Sequence, residues 1–551
     1  MKRLYLSLFA FALVLLSFAQ TATTRVQGNA TQLIVDGKPF IILGGELGNS
    51  SASCDADIER IFPRLHQMGL NTVLTPMYWD LFEPIEGQYD YSLTDKVLQE
   101  ARANDLRVVF LWFGAWKNSM SCYAPTWFKT DYKKYPRAHT KAGKPLEIAS
   151  AFSENVFKAD NRAFTTWLKH LKEVDQQGTV IMIQIENEIG MLEDARDYSA
   201  DANKLFKANV PADLAKFLKR PAVDAQKSWT EVFGEGIYTD EIFQAYYYAK
   251  YVERMAQTAK SIFDVPLYVN AAMNSRGRKP GQYPSAGPLA HLKDIWHCAA
   301  PSLAWLSPDI YDSGFTSWVK QYSLPDNQLF IPEIQRSEAN GAQAFFVIGE
   351  HNAVGISPFS IENATDGPTY KPTMAYKKLS EMMPLINQYV GNGTMRGLYF
   401  DKDSTEKIFS EEGIKITARH FFTLPWDARA TDGSPWPAAG AILIKVAPLE
   451  YVLAGSGVVV QFENEGEKLI QKKLGEDGFT LNEKESDNED SVKWSGSKRI
   501  GIAYCDEVEV NPDGSFKYLR RLNGDQDHQG RHIRIGVDDF QILHVKLYEY
   551  K

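Results

Sequence analysis

The sequence predicts an α/β fold, a closed (β/α)8 TIM barrel with an appended C-terminal β-rich domain. Three observations carry this expectation. From about residue 33 short apolar strands alternate with amphipathic helices. Eight such strands occur before residue 387. Beyond it, strand-like pieces follow one another, separated by Gly- and Asp-containing turns.

Taken in order, Phe40–Gly44 is the first strand and Asp57–Met68 the helix after it, followed by Thr72–Pro76, Leu93–Ala103 and Arg107–Phe113. The helix Arg162–Gln176 leads into Val180–Ile185, the fourth strand. A long excursion containing Asp201–Arg220 precedes the tyrosine-rich helix Thr239–Ser261, and Leu267–Asn270 is the fifth strand. Ser307–Tyr311, Leu329–Pro332 and Ala353–Ser357 complete the eight. They suit a closed barrel whose site lies at the C-terminal strand ends; an open sheet with added strands is the alternative. After the helix Tyr370–Leu385 come strand-like pieces at Gly397–Phe400, Ile414–Thr417, Ala441–Ala447, Gly457–Phe462, Gly501–Val510 and Ile542–Leu547, with a charged, unpatterned stretch at Lys468–Lys493. The expected division is a leader at 1–19, a barrel domain at 20–386 and a β-sandwich-like domain at 387–551.

The leader reads as a secretion signal: Lys2 and Arg3 precede an apolar run from Leu4 to Phe18, and Ala19 is a small residue at its end. The run is short for a membrane span, so the expectation is export to the periplasm or the exterior with no membrane span. The net charge of −9, without a Lys/Arg-rich block, argues against a nucleic-acid partner. Cys54, Cys122, Cys298 and Cys505 have no CxxC spacing, which argues against zinc and leaves open one bridge among the first three or four buried thiols. His66, His139, His291, His297 and His351 form no ligand pattern, and the Gly44-Gly45 pair lacks a phosphate-loop context. No metal or cofactor is expected. The oligomeric state is left open.

Two strand ends carry chemistry. Val180-Ile-Met-Ile-Gln-Ile-Glu-Asn-Glu-Ile-Gly190 ends in two carboxylates around an amide, costly groups to bury in a parallel strand unless a site lies there. Leu329-Phe-Ile-Pro-Glu-Ile-Gln335 places Glu333 at the end of the seventh strand. Glu188 and Glu333 then face each other across the mouth, a geometry suited to acting on both sides of a glycosidic carbon.

Ile185-Glu-Asn-Glu-Ile-Gly190 with Pro332-Glu333 resembles the catalytic pair of clan A glycoside hydrolases, and more narrowly the family 35 β-galactosidases. Leu43-Gly-Gly-Glu-Leu47, Leu70-Asn-Thr-Val-Leu-Thr-Pro-Met-Tyr-Trp79 and Phe82-Glu-Pro-Ile-Glu-Gly-Gln-Tyr-Asp90 are similar to that family too. The likeness covers roughly residues 33–385, and the remainder resembles a C-terminal extension of a bacterial branch. The resemblance implies Glu188 as acid/base, Glu333 as nucleophile and Asn187 as the amide that meets the sugar 2-hydroxyl, where it could otherwise be a turn cap. With retention, the carboxyls would stand about 5 Å apart.

Glu46 and Glu83 are candidate sugar-binding acids, with a charge partner for a barrel arginine as the other reading of Glu46. Tyr78, Trp79, Trp112, Trp116, Tyr311 and Trp318 are candidate ring platforms or core residues, Tyr311 being the one placed to orient Glu333. One segment departs from the family. Where its members commonly carry Asn-Ala-Glu after the third strand, this chain reads Leu111-Trp-Phe-Gly-Ala-Trp-Lys-Asn118, without the carboxylate, so Trp116 or Lys117 would rebuild the pocket. The expected substrate is an oligo- or polysaccharide with terminal β-galactosyl groups. A β-glucoside, a β-fucoside or an α-L-arabinopyranoside is the alternative, and a noncatalytic carbohydrate-binding protein or a surface interaction protein is the alternative of another class.

Overall fold

The computed structural model describes residues 22–274, 277–364, 369–466 and 498–551; the leader at 1–19 and the stretch Lys468–Lys493 lie outside them. Eight parallel strands close into a barrel: β1 (Ile42–Glu46), β2 (Thr72–Tyr78), β3 (Arg107–Lys117), β4 (Val180–Asn187), β5 (Leu267–Ala272), β6 (Trp305–Ile310), β7 (Phe330–Ile334) and β8 (Gly355–Pro358). Each pairs with the next, and β8 returns to β1 through Gly355↔Ile42 and Ile356↔Leu43. That last pairing excludes the open sheet. A Cβ on Gly355 would stand 2.5 Å from the Ile42 carbonyl oxygen, so the barrel closes where a glycine removes the clash.

Helices α1 (Asp55–Gln67), α2 (Ser92–Ala103), α3 (Glu154–Val174), α4 (Ile237–Ile262), α5 (Lys293–Ala299), α6 (Phe315–Tyr322), α7 (Asn340–His351) and α8 (Lys371–Tyr389) follow the strands in turn. Alternation along β3 sorts the two faces. Val109, Leu111 and Phe113 fill the interior with Leu74, Ile181, Tyr268 and Phe330, while Val108, Phe110 and Trp112 pack outward under the helices. Leu33 and Val35, from an antiparallel three-stranded sheet over residues 23–40, join the interior cluster and close its floor. Helix α3 begins at Glu154, eight residues before the expected Arg162, because Ser153 caps it by accepting from Val156 N at 3.4 Å.

Beyond α8 lie two antiparallel sheets, one of six strands and one of four. Leu398, Ile416, Leu443, Leu453, Val460 and Ile533 form the core between them. The opposite face of the larger sheet, through Ile442, Ile444, Val452 and Ala454, belongs to the same core as the barrel helices. Gly440 allows this closeness: a Cβ there would meet the Ala342 carbonyl oxygen of α7 at 2.4 Å. Four strands that the sequence reading passes over complete the sheets: Glu406–Glu411, Glu450–Ser456, Phe516–Arg521 and Ile533–Ile535. Cys54, Cys122, Cys298 and Cys505 are free thiols, so no bridge forms among the first three. Among the described residues no helix is long and apolar enough to cross a membrane.

Candidate active site

Strand β4 ends with its alternation broken. Glu186 (φ 59°) and Glu188 (φ 46°) both adopt the left-handed backbone region, an uncommon state for residues with a side chain. Surrounding bonds hold it. Asn118 N donates to Asn187 O at 3.2 Å and Ser119 N to Glu188 O at 3.1 Å. Glu188 N donates to Asn270 Oδ1 of β5 at 2.9 Å, and Asn118 Nδ2 donates to Glu188 Oε2. The break sends the two carboxyls to different places. Glu186 turns outward, accepting from Trp116 N at 2.8 Å and meeting Asp160 of α3, whereas Glu188 lies with the carboxyls of the barrel mouth.

Glu333 stands at the end of β7, and Asp309 of β6 is its register partner. Carboxyl oxygens of Glu188, Asp309 and Glu333 lie within 4.8 Å of one another, and all three residues are buried. Tyr311 donates its hydroxyl to Glu333 Oε1, and Asn270 Nδ2 donates to Asp309 Oδ2 at 2.6 Å. Glu46 lies at the end of β1, where the charge of Glu333 acts on its carboxyl. Lys117 is buried over the Phe113 ring, its Nζ 5.1 Å from the centroid, and its charge acts on Glu46 and Glu188.

Crowding acids out of water disfavours their ionised forms. Burial, and then the charge of Glu333, pushes Glu188 up to about 7. Burial and the same neighbour raise Asp309 and Glu46 well above the usual carboxylate range, with Lys117 opposing the rise at Glu46. Burial raises the Tyr311 phenol as well, and Glu333 adds to the effect.

The mouth also holds buried polar atoms with no partner among the described residues. They include both oxygens of Glu46, both side-chain polar atoms of Asn187, Asp309 Oδ1, Glu333 Oε2 and the Tyr268 hydroxyl. Unsatisfied groups of this kind cost free energy unless a ligand meets them. An array of carboxyls, an amide and a phenol offers donors and acceptors to a polyhydroxylated ligand. The trio Glu188, Asp309 and Glu333 is close enough to ligate a cation. Each already receives a donor, from Asn118, Asn270 and Tyr311 respectively, so the trio is organised as hydrogen-bonded acids.

The mouth therefore gathers Glu46, Asn187, Glu188, Tyr311 and Glu333, and leaves out six other candidates. Glu83 is fully buried away from the cluster, accepting from Trp79 Nε1 at 2.9 Å, Gly87 N at 2.8 Å and Arg162 Nη2 at 2.7 Å. These bonds use its carboxylate, so it is a structural ion pair with α3. Trp116 points outward, edge-on to Tyr248 and Tyr251 of α4 at 5.6 and 4.8 Å. Tyr78 is buried against Phe113 and Tyr123, its hydroxyl accepts from Ala52 N at 3.3 Å, and the acids nearest in its electrostatics are Asp80 and Glu362. Trp79, Trp112 and Trp318 are core residues. The sequence reading does not single out Asn118, Asn270 or Asp309. Asp309 shares strand parity with Tyr311, the one signal in the sequence that points to it.

Residues 32–275 match the family described as Glycosyl hydrolases family 35, and residues 373–534 the one described as Domain of unknown function (DUF5597). A β-galactosidase of Xanthomonas manihotis is 28% identical over 210 residues, which is 36% of this chain and 32% of that protein. The chain thus matches about a third of that relative's length. Among solved structures, the β-galactosidase of Marinomonas ef1 aligns with a TM-score of 0.47 and 13% identity, over 63% of this chain and 61% of that one. The β-mannanase of the blue mussel Mytilus edulis aligns with a TM-score of 0.39 and 13% identity, over 65% and 96%.

Proposed function

Taking residues 32–275 as a family 35 glycosyl hydrolase segment, we propose that this protein is a retaining exo-glycoside hydrolase that releases terminal β-linked galactose from oligo- or polysaccharides. The observation that carries the reading is the approach of the Glu188 and Glu333 carboxyls to within 4.8 Å at the ends of β4 and β7. Such a separation suits double displacement, because inversion needs roughly 6.5–9.5 Å to admit a water between the two groups.

In this mechanism Glu333 attacks the anomeric carbon, oriented by the Tyr311 hydroxyl. Glu188, held near 7 by burial and by Glu333, keeps its proton and passes it to the departing oxygen. Forming the glycosyl ester removes the charge of Glu333. Glu188, left ionised by the first step, takes a proton from water as the water oxygen bonds to the anomeric carbon and displaces Glu333, releasing the sugar with retained configuration. Asn187, whose amide has no partner among the described residues, meets the 2-hydroxyl, a contact that strengthens as the ring becomes oxocarbenium-like. Glu46, both of whose oxygens lack a partner among the described residues, takes another sugar hydroxyl.

The β-galactosidase named among the relatives supports the choice of sugar. A specific observation keeps a second sugar in view. The end of β3 brings Lys117 and Asn118 to the mouth in place of a carboxylate, which favours β-fucoside, β-glucoside or α-L-arabinopyranoside if the 4- or 6-hydroxyl contacts differ. The apolar run after Lys2 and Arg3 supports export to the periplasm or the exterior.

A panel of nitrophenyl glycosides tests the proposal. The expected preference is β-galactoside, with Glu333→Ala losing about ten-thousandfold or more in kcat. On a dinitrophenyl substrate, azide should rescue Glu188→Ala and give the β-glycosyl azide. Near-normal turnover by Glu333→Ala would rule out the assigned nucleophile.

A further inference from the structure

Asp309 has no task in the double displacement, yet it is buried at the centre of the mouth. Its Oδ2 accepts from Asn270 Nδ2 at 2.6 Å, and Asn270 Oδ1 accepts from Glu188 N at 2.9 Å, so one amide ties Asp309 to the backbone of the acid/base. Its other oxygen, Oδ1, has no donor among the described residues, and carboxyl oxygens of Asp309 and Glu188 lie within 4.8 Å of each other. Two carboxyl oxygens can bond only if one carries a proton. The ionisable groups acting on Asp309 are Glu188, Glu333 and Glu46, with the phenols of Tyr268, Tyr311 and Tyr322 nearby; the cation at this mouth, Lys117, acts on Glu46 and Glu188.

Resting on the hydrolase reading above, we propose that Asp309 is a positioning residue for Glu188, a neutral carboxylic acid that donates a hydrogen bond to the Glu188 carboxylate after Glu188 has protonated the leaving group. The proton stays on Asp309 throughout. Its bond steadies the ionised Glu188 while water is activated. Burial and the surrounding acids, which raise Asp309 well above the usual carboxylate range, agree with this state.

The variants Asp309→Asn and Asp309→Ala separate the possibilities. An amide is neutral and can both accept from Asn270 and donate to Glu188, so Asp309→Asn should keep kcat/KM within several-fold of wild type and leave the basic limb of its pH profile in place. Asp309→Ala removes the donor. Its kcat/KM should fall roughly tenfold or more, and its basic limb should move to higher pH, because ionised Glu188 has lost a stabilising bond. An ionised Asp309 would give the opposite result: Asp309→Ala would move the limb down, and Asp309→Asn would be as damaging as Asp309→Ala. A merely structural role would lower the melting temperature and leave the limb where it is. Infrared difference spectra read the charge state without any substrate. A protonated-carboxyl band present at neutral pH in wild type and missing in Asp309→Asn supports the proposal, and its absence from wild type overturns it. If wild type hydrolyses no glycoside, the hydrolase reading fails, and this band still decides the state of Asp309.

Discussion

Two buried acid groups flank Asn187, and they differ in what their oxygens meet. On the outer side of β4, Glu186 and Asp160 are fully buried and in contact, but Asp160 accepts from Trp112 Nε1 at 2.9 Å and Tyr251 OH at 2.7 Å, and Glu186 accepts from Trp116 N at 2.8 Å. At the mouth, Glu46, Asp309 and Glu333 keep oxygens without a partner among the described residues. Burial raises the acids of both groups, so a displaced pKa does not tell them apart. The extent of hydrogen-bond satisfaction does. The outer pair takes three donors of the fold and leaves one oxygen, Glu186 Oε1, without a partner among the described residues, whereas the mouth leaves both oxygens of Glu46, one each of Asp309 and Glu333, and both polar atoms of Asn187.

Substitutions on the two sides should therefore fail in different ways. The largest effect is expected at the mouth: Asn187→Ala should lower kcat/KM by about a hundredfold or more, the loss of several kcal/mol of transition-state contact, with an unchanged melting temperature. Steady-state kinetics beside calorimetry checks this, and a matching fall in stability would place Asn187 with the structural pair. On the outer side, Asp160→Ala leaves Trp112 Nε1 and the Tyr251 hydroxyl unpaired in the core. It should cost about 2–4 kcal/mol in denaturant unfolding, while the fraction that remains folded retains substantial turnover.

The smallest effect concerns pH. Glu188 has an ordinary value of 4.5 and is pushed up to about 7 in the fold. Between these values the folded chain holds a proton that the unfolded chain has released. The group's contribution to stability is thus fully present below 4.5 and declines as pH rises through about 7. Glu188→Gln removes the dependence. Relative to wild type it should gain about 2–3 kcal/mol between about pH 5 and about pH 8, and parallel stability curves for the two proteins would contradict the assignment.

Much of the mouth is legible because strand ends are abrupt in sequence. Glu188, Glu333 and Asn187 each follow an apolar run, and a barrel delivers such positions to one rim. Facing is harder to read. Both faces of a parallel barrel strand are apolar, so Trp112 and Trp116 look no different in sequence from Leu111 or Phe113, although the first pair packs against helices and the second fills the interior. Alternation carried on from Phe113 would have put Lys117 inward and Trp116 outward, but it needs one residue of known facing. At β4 alternation itself fails, because left-handed backbone at Glu186 and Glu188 separates two acids that simple parity places together. Glu83 lies beyond the end of β2, where no strand period applies, and its partner Arg162 is 79 residues away in sequence. The C-terminal sheets were legible as β structure. Glu406–Glu411 escaped notice because its alternation is between exposed and half-buried residues, with no fully buried face.

The central claim is that Glu333 forms a covalent bond to the sugar while Glu188 manages the proton. Incubation with a 2-deoxy-2-fluoro-β-galactosyl fluoride, followed by peptide mapping in a mass spectrometer, tests it most directly. The account predicts one fluorosugar per chain, carried by Glu333, and none in Glu333→Ala. A label on Glu46, Asp309 or Glu188, or steady turnover of the reagent with inverted product and no trapped ester, would contradict it.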